Sequence, residues 1–258
     1  MMNYIKSEWY RITHTKDIYL LTAILAGLTL IFNIGMFIVG QADDSFPYAT
    51  VSFSLSFLSS FLSLLFYVGA IVVGVIFNQE RKKGIIKNAV AYGISREKLF
   101  IGKSIVCAAA SICSLVVILI VYIGSAVLLF EQGVAPDAVP SLLKGIACML
   151  IMAVAFEVLL IAFYSYCEKE VMAMLIWYVI MAAIPQICAI VGLKIDVLGK
   201  IAAWMPYNYL SREVIVDMSG WDCLWDTPQG VAKCLISGVI GLVVFLIVGL
   251  GLCKKQEV

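Results

Sequence analysis

Apolar residues in this chain neither alternate nor keep to one helical face. They come in long unbroken runs separated by short polar stretches. Six runs reach the roughly 20 residues that a helix needs to cross a hydrocarbon core: 18–39, 51–77, 104–130, 141–166, 171–191 and 231–252. Strands of a membrane barrel would be about 10 residues long and would alternate. The pattern therefore predicts an all-α integral membrane protein, one transmembrane domain over 1–258 with six spanning helices. The first run follows 17 mostly polar residues and exceeds the roughly 7–15 residues of a signal-peptide core, so it is expected to stay as a helix.

Three polar or mixed stretches lie between or before the runs. In 1–17, Tyr4, Ile5, Glu8, Trp9 and Ile12 recur at helical spacing among Lys6, Arg11 and Lys16, which predicts an amphipathic interfacial helix. The loop 78–103 is dense in charge. It predicts a helix over 80–91 with an apolar edge of Ile85, Ile86, Ala89 and Val90. A turn comes next at Gly93, and then a second helix capped by Ser95, with Glu97 and Lys98 in its first turn, runs into the third span. The segment 192–230 carries apolar patches too short to cross, predicting short interfacial or re-entrant helices broken near Pro206. Trp204, Tyr207, Tyr209, Trp221 and Trp225 are expected as interface anchors.

Composition agrees with the pattern. Hydrophobic residues make up 63% of the chain and charged ones 14%, against about 45–50% and 25% in a soluble domain. The net charge of +1 gives no footprint for nucleic acid; the placement of charge is more telling. Lysine and arginine concentrate in 1–17, in 78–103, at Lys169 and at the C-terminus, thirteen in all, while 40–50 and 131–140 hold none. By the positive-inside rule both termini are expected in the cytoplasm. The eight cysteines follow no metal or disulfide spacing and read as small apolar fillers.

Polar residues inside the runs are few. Glu157 is the one acid deep within a span, where a carboxylate is costly and marks a candidate functional site. Ser52, Ser56, Ser59 and Ser63 step by four, three and four, as for one face of a straight helix. With Asn33, Ser56 and Ser59, Glu157 makes up the expected translocation path. Pro185 is expected to kink the fifth span, and Ser237 and Gly241 have the small-xxx-small spacing of close helix packing. Gly102, Lys103 and Ser104 match the tail of a nucleotide-binding P-loop, but Glu97 stands where its first glycine belongs and an apolar run comes after it. Lys103 is read instead as a headgroup-level residue where the third span begins.

The loop residues resemble a known family. Glu80, Gly84, Gly93, Ser95, Arg96, Leu99, Gly102 and Lys103, between the second and third spans, look like the cytoplasmic loop of type-2 ATP-binding-cassette (ABC) exporter permeases. Six spans, a leading helix with Glu8 and a long external segment before the sixth span fit the same family. The start "IKSEWYRIT" is similar to small permeases of bacterial peptide-antibiotic and lantibiotic export or immunity systems. The resemblance implies a coupling helix at 80–91, seated in a groove of a separate cytoplasmic ABC ATPase subunit, with Glu80, Gly84, Ile85, Ile86, Gly93 and Arg96 carrying the coupling. It implies a second permease chain, identical or related, and a place in the bacterial plasma membrane among lipid. It implies no cofactor and no nucleotide site in this chain. The cargo would be a peptide, an antibiotic or a lipid-like amphiphile leaving the cytoplasm or the membrane. Two other readings stay open: an ion-coupled carrier or channel using Glu157, and an accessory or sensory subunit without transport. No span holds a Ser/Lys, Asp/Asp or His cluster at catalytic spacing.

Overall fold

The structure, a computed structural model, describes residues 2–43, 46, 48–83, 93–130, 138–167, 169–216 and 221–255. Helix α1 (Met2–Thr13) leads into α2 (Lys16–Ala42). Helices α3 (Val51–Ser60) and α4 (Leu64–Lys83) are followed by α5 (Arg96–Leu129) and α6 (Ala138–Tyr166). Next comes α7 (Glu170–Val191), which carries a π turn at Val179–Ala183. The short helices α8 (Asp196–Ala203) and α9 (Pro206–Arg212) precede a two-stranded antiparallel hairpin. In it β1 (Val214–Val216) pairs with β2 (Trp221–Cys223), and α10 (Pro228–Lys255) ends the chain. Among the described residues, five helices are long and apolar enough to cross a membrane, six if α3 and α4 form one span.

Helix α6 is the centre of the bundle. Its apolar window is 72% buried, against 11–28% in the other four single-helix spans, so it is the helix the others pack around. Leu142, Met149, Leu159, Leu160 and Ile161 on α6 are fully enclosed. Helix α10 lies along it with Gly241 against Met152, where a Cβ would be 3.2 Å from the thioether sulfur, as the small-residue spacing predicts. The outer helices leave broad apolar faces uncovered, among them Leu20, Ile24, Ile31 and Ile38 of α2. Such faces suit a hydrocarbon solvent, where only helices with internally satisfied backbones are stable.

The run 51–77 departs from expectation, for it is not one straight helix. Thr50 accepts the Phe53 N–H at 3.2 Å and starts α3, but α3 and α4 meet at 68° across Phe61–Ser63. No proline lies there. Ser59 donates to Leu55 O (3.0 Å) and Ser60 to Ser56 O (3.1 Å), the back-bonding that bends helices. The turn then closes through i→i+3 bonds, Leu64 N to Phe61 O (2.8 Å) and Phe66 N to Ser63 O (3.1 Å), so the backbone stays paired through the corner. Ser63 falls in the turn, so the four serines do not form one stripe. At Pro185 the helix continues, with a π turn just before it in which Ile184 N bonds Val179 O.

At the end of the bundle opposite α1, Trp225 is fully buried and donates to Ser141 Oγ (3.1 Å), and Tyr209, also fully buried, bonds Ser237 Oγ (3.0 Å). Both are core residues rather than the expected interface anchors; Trp204, half exposed, keeps that character. Tyr207 shares a bond with Gln186 (2.9 Å), and Trp221 is described only by its backbone in β2. Burial pushes the Tyr209 phenol above its ordinary range, so it remains a neutral donor. Asn208 donates to Pro185 O (2.8 Å) and Ala202 O (2.9 Å), tying α8 and α9 to the end of α7.

Candidate functional site

Three features of the spanning core are polar or hollow, and each is set by neighbouring helices. The first is a knot around Asn33, which is fully buried. Its amide donates to Tyr122 O (3.0 Å) and Ser125 Oγ (2.7 Å), and its carbonyl oxygen lies 3.0 Å from Ser54 Oγ. The Tyr122 hydroxyl donates to Ser54 O at 2.5 Å. One side chain thus joins α2, α3 and α5 through both its amide and its carbonyl, as a buried amide requires. A second link, Thr22 Oγ1 to Ser114 Oγ at 2.9 Å, fastens α2 to α5 further along.

The second feature is the Glu157 carboxyl. Glu157 is 4% exposed, and Gly69 of α4 lies directly on Oε1. Oε2 has no hydrogen-bond partner, and neither does the buried Ser111 hydroxyl of α5. Both side chains line one small cavity of about 10 Å³. The third feature is a chamber of about 240 Å³, open on one side, between α2, the α3–α4 corner, α5 and α6, with Phe61, Tyr67, Tyr122, Leu119 and Ile118 among its walls.

The basic end is built differently. Helix α1 lies across the start of α5, where Tyr4 sits on Gly102 so closely that a Cβ there would be 2.8 Å from the ring. Glu8 is buried and bonded to Arg11 (2.5 Å), and Ile12 is buried beside it, so one face of α1 packs on protein while Trp9 and Tyr10 stay exposed. Lys103 is 5% exposed with its ammonium 4.6 Å from the Phe77 ring centre, so its side chain is held within the bundle. Gly93 adopts φ +79°, the left-handed turn its position predicts. Ser95 occupies the cap position of α5 but makes no side-chain cap bond. The helix after it is continuous from Arg96 for 34 residues, about 50 Å.

The residues expected to act together fall into separate places. Glu157 faces Ser111 and Gly69. Asn33 belongs to the three-helix knot. Ser56 and Ser59 bond carbonyls of their own helix, Phe53 O (2.7 Å) and Leu55 O. Gly93 and Arg96 stand at the start of α5; Glu80 is described only by its backbone in α4, and Gly84, Ile85 and Ile86 lie outside the described residues. Ser54, Ser111, Tyr122 and Gly69 carry no mark in the sequence that sets them apart as site residues, save that Ser111 belongs to a small-residue segment.

Among known protein families, the model of one described as ABC-2 family transporter protein aligns with residues 4–199. No curated protein and no solved structure matches.

Proposed function

This chain belongs to the ABC-2 family of transporter proteins, and from that premise we propose that it is the membrane half of an ATP-driven exporter in a bacterial plasma membrane. Membership makes it a multi-pass permease that works with an ABC ATPase. The proposal adds a direction, a cargo class and a means of coupling. The cargo is a peptide, antibiotic or lipid-like amphiphile taken from the cytoplasm or the membrane, and a second permease chain completes the pathway. The chain itself performs no hydrolysis. Both termini and the loop 78–103 face the cytoplasm. There Glu80, Gly84, Ile85, Ile86, Gly93 and Arg96 receive the ATPase, and α1 braces the lever.

The observation that carries this reading is the lever. Helix α5 runs unbroken from Arg96 to Leu129 and is gripped near its start by α1 through Gly102. A push at Arg96 is therefore delivered along the whole span to the Asn33 knot and to the Ser111 side of the Glu157 pocket. The bent α3–α4 span supplies a joint on the same pathway, with Ser56 and Ser59 just before the corner. Glu157 faces the path, and Asn33 holds the helices that frame it. Purification in mild detergent tests the reading. A nucleotide-binding subunit is expected to accompany the chain, with ATP hydrolysis stimulated by an amphiphilic cargo. Isolation of the chain without any ATPase, or full-speed transport by it alone in liposomes, overturns it.

A further inference from the structure

The apolar chamber and the Glu157 pocket share three wall residues, Leu65, Val68 and Leu115. The space on one side is large and apolar. Two of its polar lining groups are already occupied: Thr29 donates to Ala26 O (2.8 Å) and the Tyr122 hydroxyl to Ser54 O. Its volume of about 240 Å³ is large enough for a benzene-sized apolar group, which a cavity of roughly 150 Å³ already holds. The space on the other side, about 10 Å³, is near the minimum that holds one water-sized group. Into it point two buried polar atoms without a partner, Glu157 Oε2 and Ser111 Oγ.

Unsatisfied polar atoms in a hydrocarbon setting are costly, and native proteins rarely keep them. Among the described residues no ion pair engages Glu157. Glu157 and Ser111 are neighbours there, and a small group seated between them would bond both. An ionised carboxylate only accepts hydrogen bonds, and a hydroxyl can accept as well, so the fitting partner is a small donor. A positive charge on that donor also offsets the cost of ionising a carboxyl in a buried site.

We propose that chamber and pocket form one binding site for a cationic amphiphile bearing a primary ammonium group. Its hydrocarbon or aromatic body fills the chamber. Its ammonium passes Leu65, Val68 and Leu115 and donates to Glu157 Oε2 and Ser111 Oγ. A quaternary ammonium is excluded on two grounds, since it is too large for the pocket and has no N–H. The site deepens the exporter reading by naming a cargo chemistry, and it rests on that reading only for the transport steps after binding.

The test is equilibrium dialysis of radiolabelled octylamine, octanol and octyltrimethylammonium against the full chain in phosphatidylcholine nanodiscs, with empty nanodiscs subtracted. Neither nucleotide nor ATPase is present. Octylamine is expected to bind saturably, about tenfold tighter than either other probe. Glu157→Gln is expected to lower octylamine affinity about tenfold and leave octanol unchanged. Ile118→Trp, which fills the chamber, weakens octylamine and octanol alike. Ser111→Ala lowers the octylamine preference in the same sense and serves if the Glu157→Gln chain does not purify as a single species. Equal binding of the three probes, an octylamine preference that survives at Glu157→Gln or Ser111→Ala, or indifference to Ile118→Trp overturns the proposal. Octylamine binding by a chain that never associates with an ATPase would sink the exporter reading and leave this site standing. An ATPase complex that shows no octylamine preference would do the reverse.

Discussion

Gly69 of α4 lies directly on the carboxyl of Glu157 in α6, so that a Cβ at position 69 would overlap Oε1. Helix α4 can approach α6 this closely only because residue 69 has no side chain. Ordinarily Gly→Ala inside a helix stabilises by up to about 1 kcal/mol. Here Gly69→Ala is expected to destabilise by about 1–3 kcal/mol through overpacking, read as a lower melting temperature in detergent. Glu157→Ala removes the obstructing atoms, so Gly69→Ala placed on that background should regain stability. The non-additivity of the two changes is the measurement. Additive losses would mean that the two groups do not meet.

The Asn33 knot gives a second prediction. Asn33→Leu removes two donors and one acceptor, leaving Ser125 bonded to the Tyr122 carbonyl and Ser54 to the Tyr122 hydroxyl but nothing polar that ties α2 to them. The loss of these buried bonds is expected to cost about 1–3 kcal/mol. Tyr122→Phe removes the hydroxyl that bonds Ser54 O and should cost less, about 0.6 and at most about 1.7 kcal/mol. Thermal unfolding of the two variants in one detergent ranks them, and the reverse order would count against Asn33 as the central clamp.

A third prediction concerns the corner between α3 and α4. Leu62, 1% exposed, sits in that turn. Gly145 of α6 faces it, where a Cβ would be 3.0 Å from Leu62 Cδ1 and 2.6 Å from Trp225 Cε2. The corner and the hairpin end therefore seat on one glycine. Gly145→Val is expected to displace both, lowering the melting temperature and raising Trp225 exposure, which collisional quenching of tryptophan fluorescence reads. Quenching equal to that of the unaltered chain would show that the corner is not seated there.

The six spans and the start of α5 were legible because length, apolarity and lysine placement act locally and leave a mark in every residue. The corner at Phe61–Ser63 was not, since its flanking residues are apolar on both sides and its serines mimic a straight helical face. What makes the bend is where those hydroxyls donate, together with the seat offered by Gly145, and that seat lies more than 80 positions away. Glu157 stood out by its charge, whereas its partners Gly69 and Ser111 are ordinary small residues. Only the packing of α4 and α5 on α6 gives them their roles. Trp225 and Tyr209 read as interface anchors from composition and are core residues through tertiary contacts.

The coupling reading yields the last prediction. Glu80→Lys together with Arg96→Glu reverses both charges proposed to receive the ATPase and keeps the net charge of the loop unchanged. The lysine and arginine asymmetry that orients the chain is hence nearly preserved, and insertion should match that of the unaltered protein. What should fall is association, because truncating or reversing a charge at a docked interface costs about 2–5 kcal/mol, enough to lower ATPase co-purification by tenfold or more. Each single reversal should weaken association less than the pair. The octylamine preference of the Glu157 pocket should be untouched, since the altered residues lie at the far end of the lever. A double variant that inserts, holds its ATPase and transports at the normal rate would show that energy reaches the bundle through some other surface.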